Sequence, residues 1–151
     1  MTMHVNARLA EALSVLATID PVSQGAGTVT TGWIPAANHE RFLALLQTGL
    51  MGASGTIDAK LQQAQDSGGT GAKDVTGKAI TQIVKASGDN KQAEINLRAE
   101  ELDLANNFTY FRLSITVGTA ASLIAASVLG GVAKNGPASA LNQAGVVQNI
   151  A

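Results

Sequence analysis

Apolar and polar positions alternate along most of this chain with a period of two. Phe111, Leu113, Ile115 and Val117 alternate with Arg112, Ser114 and Thr116. Ile57, Ala59 and Leu61 alternate with Asp58, Lys60 and Gln62, and Ala93, Ile95, Leu97 and Ala99 with Glu94, Asn96, Arg98 and Glu100. Successive side chains of a strand point to opposite faces, so each run predicts a strand with one buried face. Thr28 to Ile34 is rich in β-branched residues and stops at Pro35, which also reads as a strand. Phe42 to Met51 is apolar on both sides; its length and the glycines after it favour a buried strand over a helix. Ala79 to Val84 is a further candidate. The turns are signalled by "SGDN" at 87–90 and "NN" at 106–107, residues that tolerate positive φ.

Leu113 to Ala133 runs without a charge between Arg112 and Lys134. Its length would span a bilayer as a helix. Its pattern does not suit one. The period is two up to Val117, Gly118 to Ala121 offers a turn, Ser122 to Leu129 is apolar on both faces, and Gly130-Gly131 closes the run. Two strands, the second central and buried, fit better than a membrane helix.

Leu9, Leu13 and Leu16 recur at helical spacing with Ala12 beside them, predicting a short amphipathic helix over residues 6–17. An extended arm is the alternative, because Val5, Ala7 and Leu9 also alternate. Glu11 interrupts the apolar stretch and argues against a secretory signal. Residues 65–78, "QDSGGTGAKDVTGK", have no apolar period and read as a long surface loop. The fold expected is mainly β: a single antiparallel β-sandwich or jelly-roll-like domain at 25–134. A short N-terminal helix or arm at 1–24 precedes it, and a C-terminal extension at 135–151 follows. On these bounds, deletion of residues 1–17 should leave the sandwich folded. Its expected core is Trp33, Ile57, Leu61, Ile95, Leu97, Phe111, Leu113, Ile115 and Val117.

Composition narrows the chemistry. Charged residues make up 14% of the 151 residues, against about a quarter in an ordinary domain, which suggests that part of the surface faces protein. A formal net charge of −1 gives no electrostatic case for nucleic acid or an anionic membrane. Cysteine is absent, so disulfides and thiolate metal sites are excluded.

The short motifs dissolve on inspection. His39-Glu40 resembles the start of a zinc-protease helix, but position 43, where the second His belongs, is Leu. His4 and His39 are the only histidines, and they read as solvent-facing. "GAGTVTTG" has Thr30 where a dinucleotide loop needs glycine, and "GAKDVTGKA" has Ala72 and Ala79 where a phosphate loop needs Gly and Ser or Thr. Asn107-Phe108-Thr109 matches a glycosylation acceptor, but a turn asparagine accounts for it. Glu100, Glu101 and Asp103 form an acidic cluster without the closed loop of a calcium site or the apolar pocket of an acid–base pair. On a strand, Glu101 and Asp103 would share one side, as a solvated or intersubunit salt-bridging edge. No catalytic, cofactor-binding or metal-binding residues are expected.

In order, the strings "DPVSQGAGTVTTGWIPA", "RFLALLQTG", "GTIDAKLQQAQDSGGTGAKDVTGKAITQ", "INLRAEELD" and "FTYFRLSITVGTAASLIAASVLGG" fall between Asp20 and Gly131, within a resemblance that covers about residues 18 to 134. They resemble small structural proteins from the head-morphogenesis region of tailed bacteriophages, either capsid decoration (cement) or head-associated proteins. The resemblance implies a β-rich fold, self-association, attachment to the major capsid protein of the phage head, and no catalysis. It implies a chain made in the bacterial cytoplasm and placed on the exterior of the virion. A homotrimer is the form expected, because three identical contacts close around a local threefold axis. The contacts expected are Leu9 and Leu13 from the arm, Val146 and Val147 from the charge-free tail, and Glu101 and Asp103 from the acidic edge. Neither nucleic acid nor membrane is expected as a partner. The alternatives are a neck or tail protein, a holin-like membrane protein using residues 113–133, and a small ligand-binding β-sandwich module.

Overall fold

The computed structural model describes residues 6–150. In chain order its strands are β1 (Leu13–Gln24), β2 (Gly27–Thr30), β3 (Ile34–Pro35), β4 (His39–Met51), β5 (Thr56–Ala64), β6 (Lys73–Ala79), β7 (Ile83–Val84), β8 (Gln92–Arg98), β9 (Tyr110–Gly118) and β10 (Ser122–Ala133). Two one-turn helices, α1 (Leu9–Ala12) and α2 (Lys85–Gly88), complete the regular elements with four 3-10 turns.

The strands form two antiparallel sheets, ordered β1-β10-β4-β8 and β2-β9-β5-β6, with β3 added beside β9 and β7 beside β5. Set the two-residue strands aside and a simple rule appears. The first long strand pairs with the last, the second with the second-last, and so inward to β5 and β6. This is one long folded hairpin wound into two sheets, the winding of a jelly roll. The charge-free run 113–133 is therefore no helix. It is β9 and β10, central in opposite sheets, joined at Gly118–Ala121. No helix among the described residues is long and apolar enough to cross a membrane.

The core lies between the sheets and follows the alternation. Ile57, Leu61, Ile95, Leu97, Phe111, Leu113, Ile115 and Val117 are all buried, and Phe42, Leu46, Ile124 and Val128 face them from the other central strands. Trp33 differs: it is only half-buried, in the link between β2 and β3. Asn90 and Asn107 adopt φ of 56° and 63°, as their turn positions required.

Three expectations change. The helix expected over 6–17 ends at Ala12, and Leu13 onward is β1, the outer strand of the four-stranded sheet, so residues 13–24 belong to the sandwich and not to an arm. Pairing with β10 overrides a helical period only three leucines long, and the β-bulge between Val15 and Ala17 is what blurred the alternation. Deleting residues 1–17 therefore removes part of a strand. Second, the loop expected over 65–78 ends at Ala72, because Lys73–Ala79 is β6, an edge strand with only Val75 buried. The remaining loop is organised by Asp66, whose carboxylate accepts from the N–H groups of Gly68 (2.9 Å) and Thr70 (3.1 Å). Third, Glu101 ends a 3-10 turn after β8 and Asp103 caps the next, so neither lies on an alternating strand.

Leu113 and Ile115 fill the centre of the core, so replacing either with Ala is expected to cost about 2–5 kcal/mol. Urea denaturation of the two variants checks this; a loss near zero at both sites would contradict the packing described.

Candidate functional site

The outward faces of the two sheets differ in kind. On the six-stranded sheet the outward positions of β2, β5 and β9 are mostly polar. Thr28 and Thr116 share a hydroxyl hydrogen bond of 2.8 Å, and Thr116 lies opposite Asp58. Arg112 donates to Gln62 at 3.0 Å, and Lys60 pairs with Asp74 at 2.8 Å. On the four-stranded sheet, Val15, Leu129 and Leu43 stand side by side in one cross-strand row, with Thr18, Ser127 and Leu45 in the next. These side chains alternate with the buried positions of the same strands and remain partly accessible. An apolar stripe thus runs over β1, β10 and β4 on a face that solvent would ordinarily make polar, and it ends at β8, where Asn96 and Glu94 continue the two rows.

The chain ends border this stripe. Leu9, Leu13, Val15, Leu129 and Val146 line a groove of about 260 Å³. The C-terminal segment reaches it by covering part of the free edge of β1. The Gln143 N–H donates to the Val15 carbonyl at 2.8 Å, and the Val15 N–H donates to Asn142 Oδ1 at 2.7 Å. Beyond that contact the segment runs out into solvent, with Val147 86% and Ile150 85% exposed. Leu9, itself 60% exposed, and Val147 are apolar side chains that the other described residues leave uncovered.

The expected contact residues divide accordingly. Leu9, Leu13 and Val146 come together with Val147 beside them. Glu101 and Asp103 do not join them, because β6 lysines take both: Glu101 pairs with Lys78 at 3.0 Å and Asp103 with Lys73. The N–H of Arg98, followed by Lys78, holds the Glu101 carboxyl below its ordinary range; Lys73 and Asn106 do the same for Asp103. Trp33 is covered on one side by the Arg112 guanidinium, 4.4 Å from the ring centre. On another side Gly69 approaches so closely, at φ +85°, that a Cβ there would lie 2.6 Å from the indole nitrogen.

His39 overturns its expected exposure. It is 1% exposed, at the start of β4, with its ring edge-on to Phe42. Its Nε2 is 2.9 Å from Ser14 Oγ, and the Ser14 hydroxyl donates to the Ala138 carbonyl. A serine hydroxyl has one proton, so Ser14 must accept from His39, and the neutral ring carries its hydrogen on Nε2. Nδ1 is then a bare acceptor, buried without a partner among the described residues. The chain Ala138–Ser14–His39 fastens the C-terminal segment, β1 and β4 together. Neither Ser14 nor Ala138 stood out in sequence. A serine on a strand reads as outward, and only the register with β10 turns it inward. His4 lies outside the described residues. No group of three or more potential metal-ligating His, Cys, Asp or Glu side chains occurs among the described residues.

No protein-family profile matches the chain, and no curated protein matches it in sequence. Among solved structures it is similar to a chain of the naturally occurring empty particles of cowpea mosaic virus (TM-score 0.45, 11% identity), covering 89% of this chain and 94% of that one. It is also similar to a chain of infectious bursal disease virus Gx strain (TM-score 0.41, 11% identity, 84% of this chain and 33% of that one). The xylan-binding CBM22-1 domain from Paenibacillus barcinonensis Xyn10C is similar to the same degree (TM-score 0.41, 14% identity, 82% and 83%). Likeness this loose assigns no activity.

Burial lowers the His39 pKa from its ordinary 6.5. The unfolded chain therefore takes up a proton near pH 6.5 that the folded chain resists. The stability that depends on neutral His39 is complete above that pH and declines as pH falls below it. The depressed carboxylates, Asp66, Asp74, Asp89, Glu101 and Asp103, keep their contribution until pH falls below their ordinary values of 3.8 and 4.5. The urea midpoint should fall between about pH 7.5 and about pH 5.5. His39→Gln, which keeps a donor towards Ser14 but does not titrate, should flatten that interval. An unchanged midpoint in the parent protein over the same interval would refute the assignment.

Proposed function

We propose that this chain is a structural virion protein that coats the assembled head of a tailed phage and catalyses nothing. The observation that carries the reading is the apolar stripe on the outward face of the four-stranded sheet, bordered by chain ends whose apolar side chains are exposed. A protein that must lie against a shell needs such a face, with the opposite face polar for solvent. Here Val15, Leu43 and Leu129 supply the first, and Thr116, Asp58 and Lys60 the second. The phage-like strings between Asp20 and Gly131 support the same reading, and the jelly-roll winding is one that shell proteins use among others.

The partner is the major capsid protein, offering a complementary apolar surface of low charge. Three copies around a local threefold axis would each seat this face on the shell. The exposed terminal segment, with Val147 and Ile150, would then be covered by a neighbour or by the shell. Each contact can be weak, because repetition on the lattice raises the effective concentration of the next.

Mass spectrometry of purified particles should find the chain on the order of hundreds of copies. About a dozen copies would place it at the neck or tail instead, and absence from the particle would sink the virion reading. Leu129→Glu puts a charge into the middle of the apolar row while leaving the buried face untouched. The variant should keep its circular dichroism spectrum and lose attachment to particles stripped of the protein. Attachment at parental strength would remove this face from the contact.

A further inference from the structure

The four-stranded sheet has two edges, and they are finished differently. At the β1 edge, residues 138–143 of the chain's own C-terminal segment cover Ser14 and Val15, two register shifts break the strand, and Pro21 removes a donor. At the β8 edge, Gln92–Arg98 pairs with β4 in an unbroken register and, among the described residues, has no strand on its other side. The edges of the second sheet are poorer templates. β2 is four residues long, and β6 carries an irregular register against β5 and a left-handed Gly77 at φ +75°. A regular, uncovered edge is a site for strand addition.

Which backbone groups β8 offers follows from its pairing. The Thr48 N–H donates to the Lys91 carbonyl, so the pair 48/91 is hydrogen-bonded. Hydrogen-bonded pairs recur every second residue, so Ala93, Ile95 and Leu97 spend their backbone groups on β4. Glu94 and Asn96 then turn their N–H and carbonyl groups outward. Arg98 does the same, and its N–H is seen to be taken at 2.8 Å by the Glu101 carboxylate. The same three residues expose their side chains on the outward face.

We propose that β8 pairs with β8 of a second copy, antiparallel about a twofold axis through Asn96. In that register Asn96 faces Asn96, and Glu94 of each copy faces Arg98 of the other. The outward backbone groups of Glu94 and Asn96 coincide with hydrogen-bonding positions of the new ladder, and the Arg98 N–H joins them once the Glu101 carboxylate releases it. The charges are complementary under the twofold, since one strand carries Glu and Arg at equal distances on either side of its centre. A register slipped by two residues would lose this match. The contact also bears on a like-charged pair. Arg41 and Arg98 lie directly opposite each other on β4 and β8, and like charges in that relation repel. Glu100 reaches both from one side, at 3.4 Å and 3.9 Å, and Glu101 reaches Arg98 at 3.8 Å. Glu94 of the second copy would supply a further carboxylate. The result is a continuous eight-stranded sheet across two copies. Such a contact joins copies in pairs, so on a shell it would link one trimer to the next.

The test uses the purified protein without particles, so it stands or falls apart from the virion reading. The chain has no cysteine, and opposed residues of a hydrogen-bonded pair lie about 5.5 Å apart at Cα, within disulfide reach. Asn96→Cys should therefore oxidise to a covalent dimer, and Thr76→Cys on the exposed edge strand β6 serves as the control for random collision. Dimer formation by Asn96→Cys should be roughly tenfold faster than by the control. On the Asn96→Cys background, Glu94→Arg or Arg98→Glu alone should remove most of that advantage. The double exchange Glu94→Arg with Arg98→Glu should restore it, and high salt should weaken it. Equal rates for Asn96→Cys and the control would overturn the pairing. So would a double exchange that behaves like the single ones while its circular dichroism remains that of the parent.

Discussion

Phe42 on β4 and Phe111 on β9 meet with ring centres 4.6 Å apart, and this contact sits where the two sheets press together. Both rings belong to central strands, and both are buried. The sandwich can close only if each sheet turns its apolar residues towards that plane. Once it does, the face of every other residue follows from period two. Aromatic material is scarce here, with three Phe, one Tyr and one Trp in the chain. The core is otherwise built from Ile, Leu, Val and Ala, which pack closely but carry less area per residue.

Closure of the core also creates the difference between the outer surfaces. Sheets covered on one side usually alternate apolar and polar along each strand. The six-stranded sheet obeys this, with Thr, Asp, Lys and Gln outward. The four-stranded sheet does not, because β4 and β10 carry Leu43, Leu45 and Leu129 on the solvent side as well. Those leucines add nothing to the sandwich interior. Their presence is explained if another protein surface completes the burial.

The chain ends are held by a different kind of interaction. One hydrogen-bonded chain, from Ala138 through Ser14 to His39, ties segments 124 and 25 positions apart to a single buried spot. Buried hydrogen bonds of this kind lose more when one partner is removed than they contribute when intact. The bare Nδ1 of His39 makes the tie sensitive to protonation. It also confines the C-terminal segment beside the apolar stripe, where its exposed valine and isoleucine are available to a neighbour.

Much of this architecture was legible in the chain itself. Alternation at 57–62, 93–99 and 111–117 is a local property of the pleated strand, so those strands and eight of their buried residues could be read directly. The turn asparagines at 90 and 107 were legible for the same reason. What the sequence could not disclose depends on partners distant in the chain. Residues 13–24 became a strand only because β10 was there to pair with them. β6 formed on a single inward valine because β5 supplied its hydrogen bonds. His39 became buried through a serine and a carbonyl that no spacing connects to it. Trp33 stayed half-buried because an arginine and a glycine loop covered it in place of the core. Period and turn chemistry are written residue by residue, whereas burial of a lone polar group and the pairing of an edge are decided by whatever the fold brings alongside.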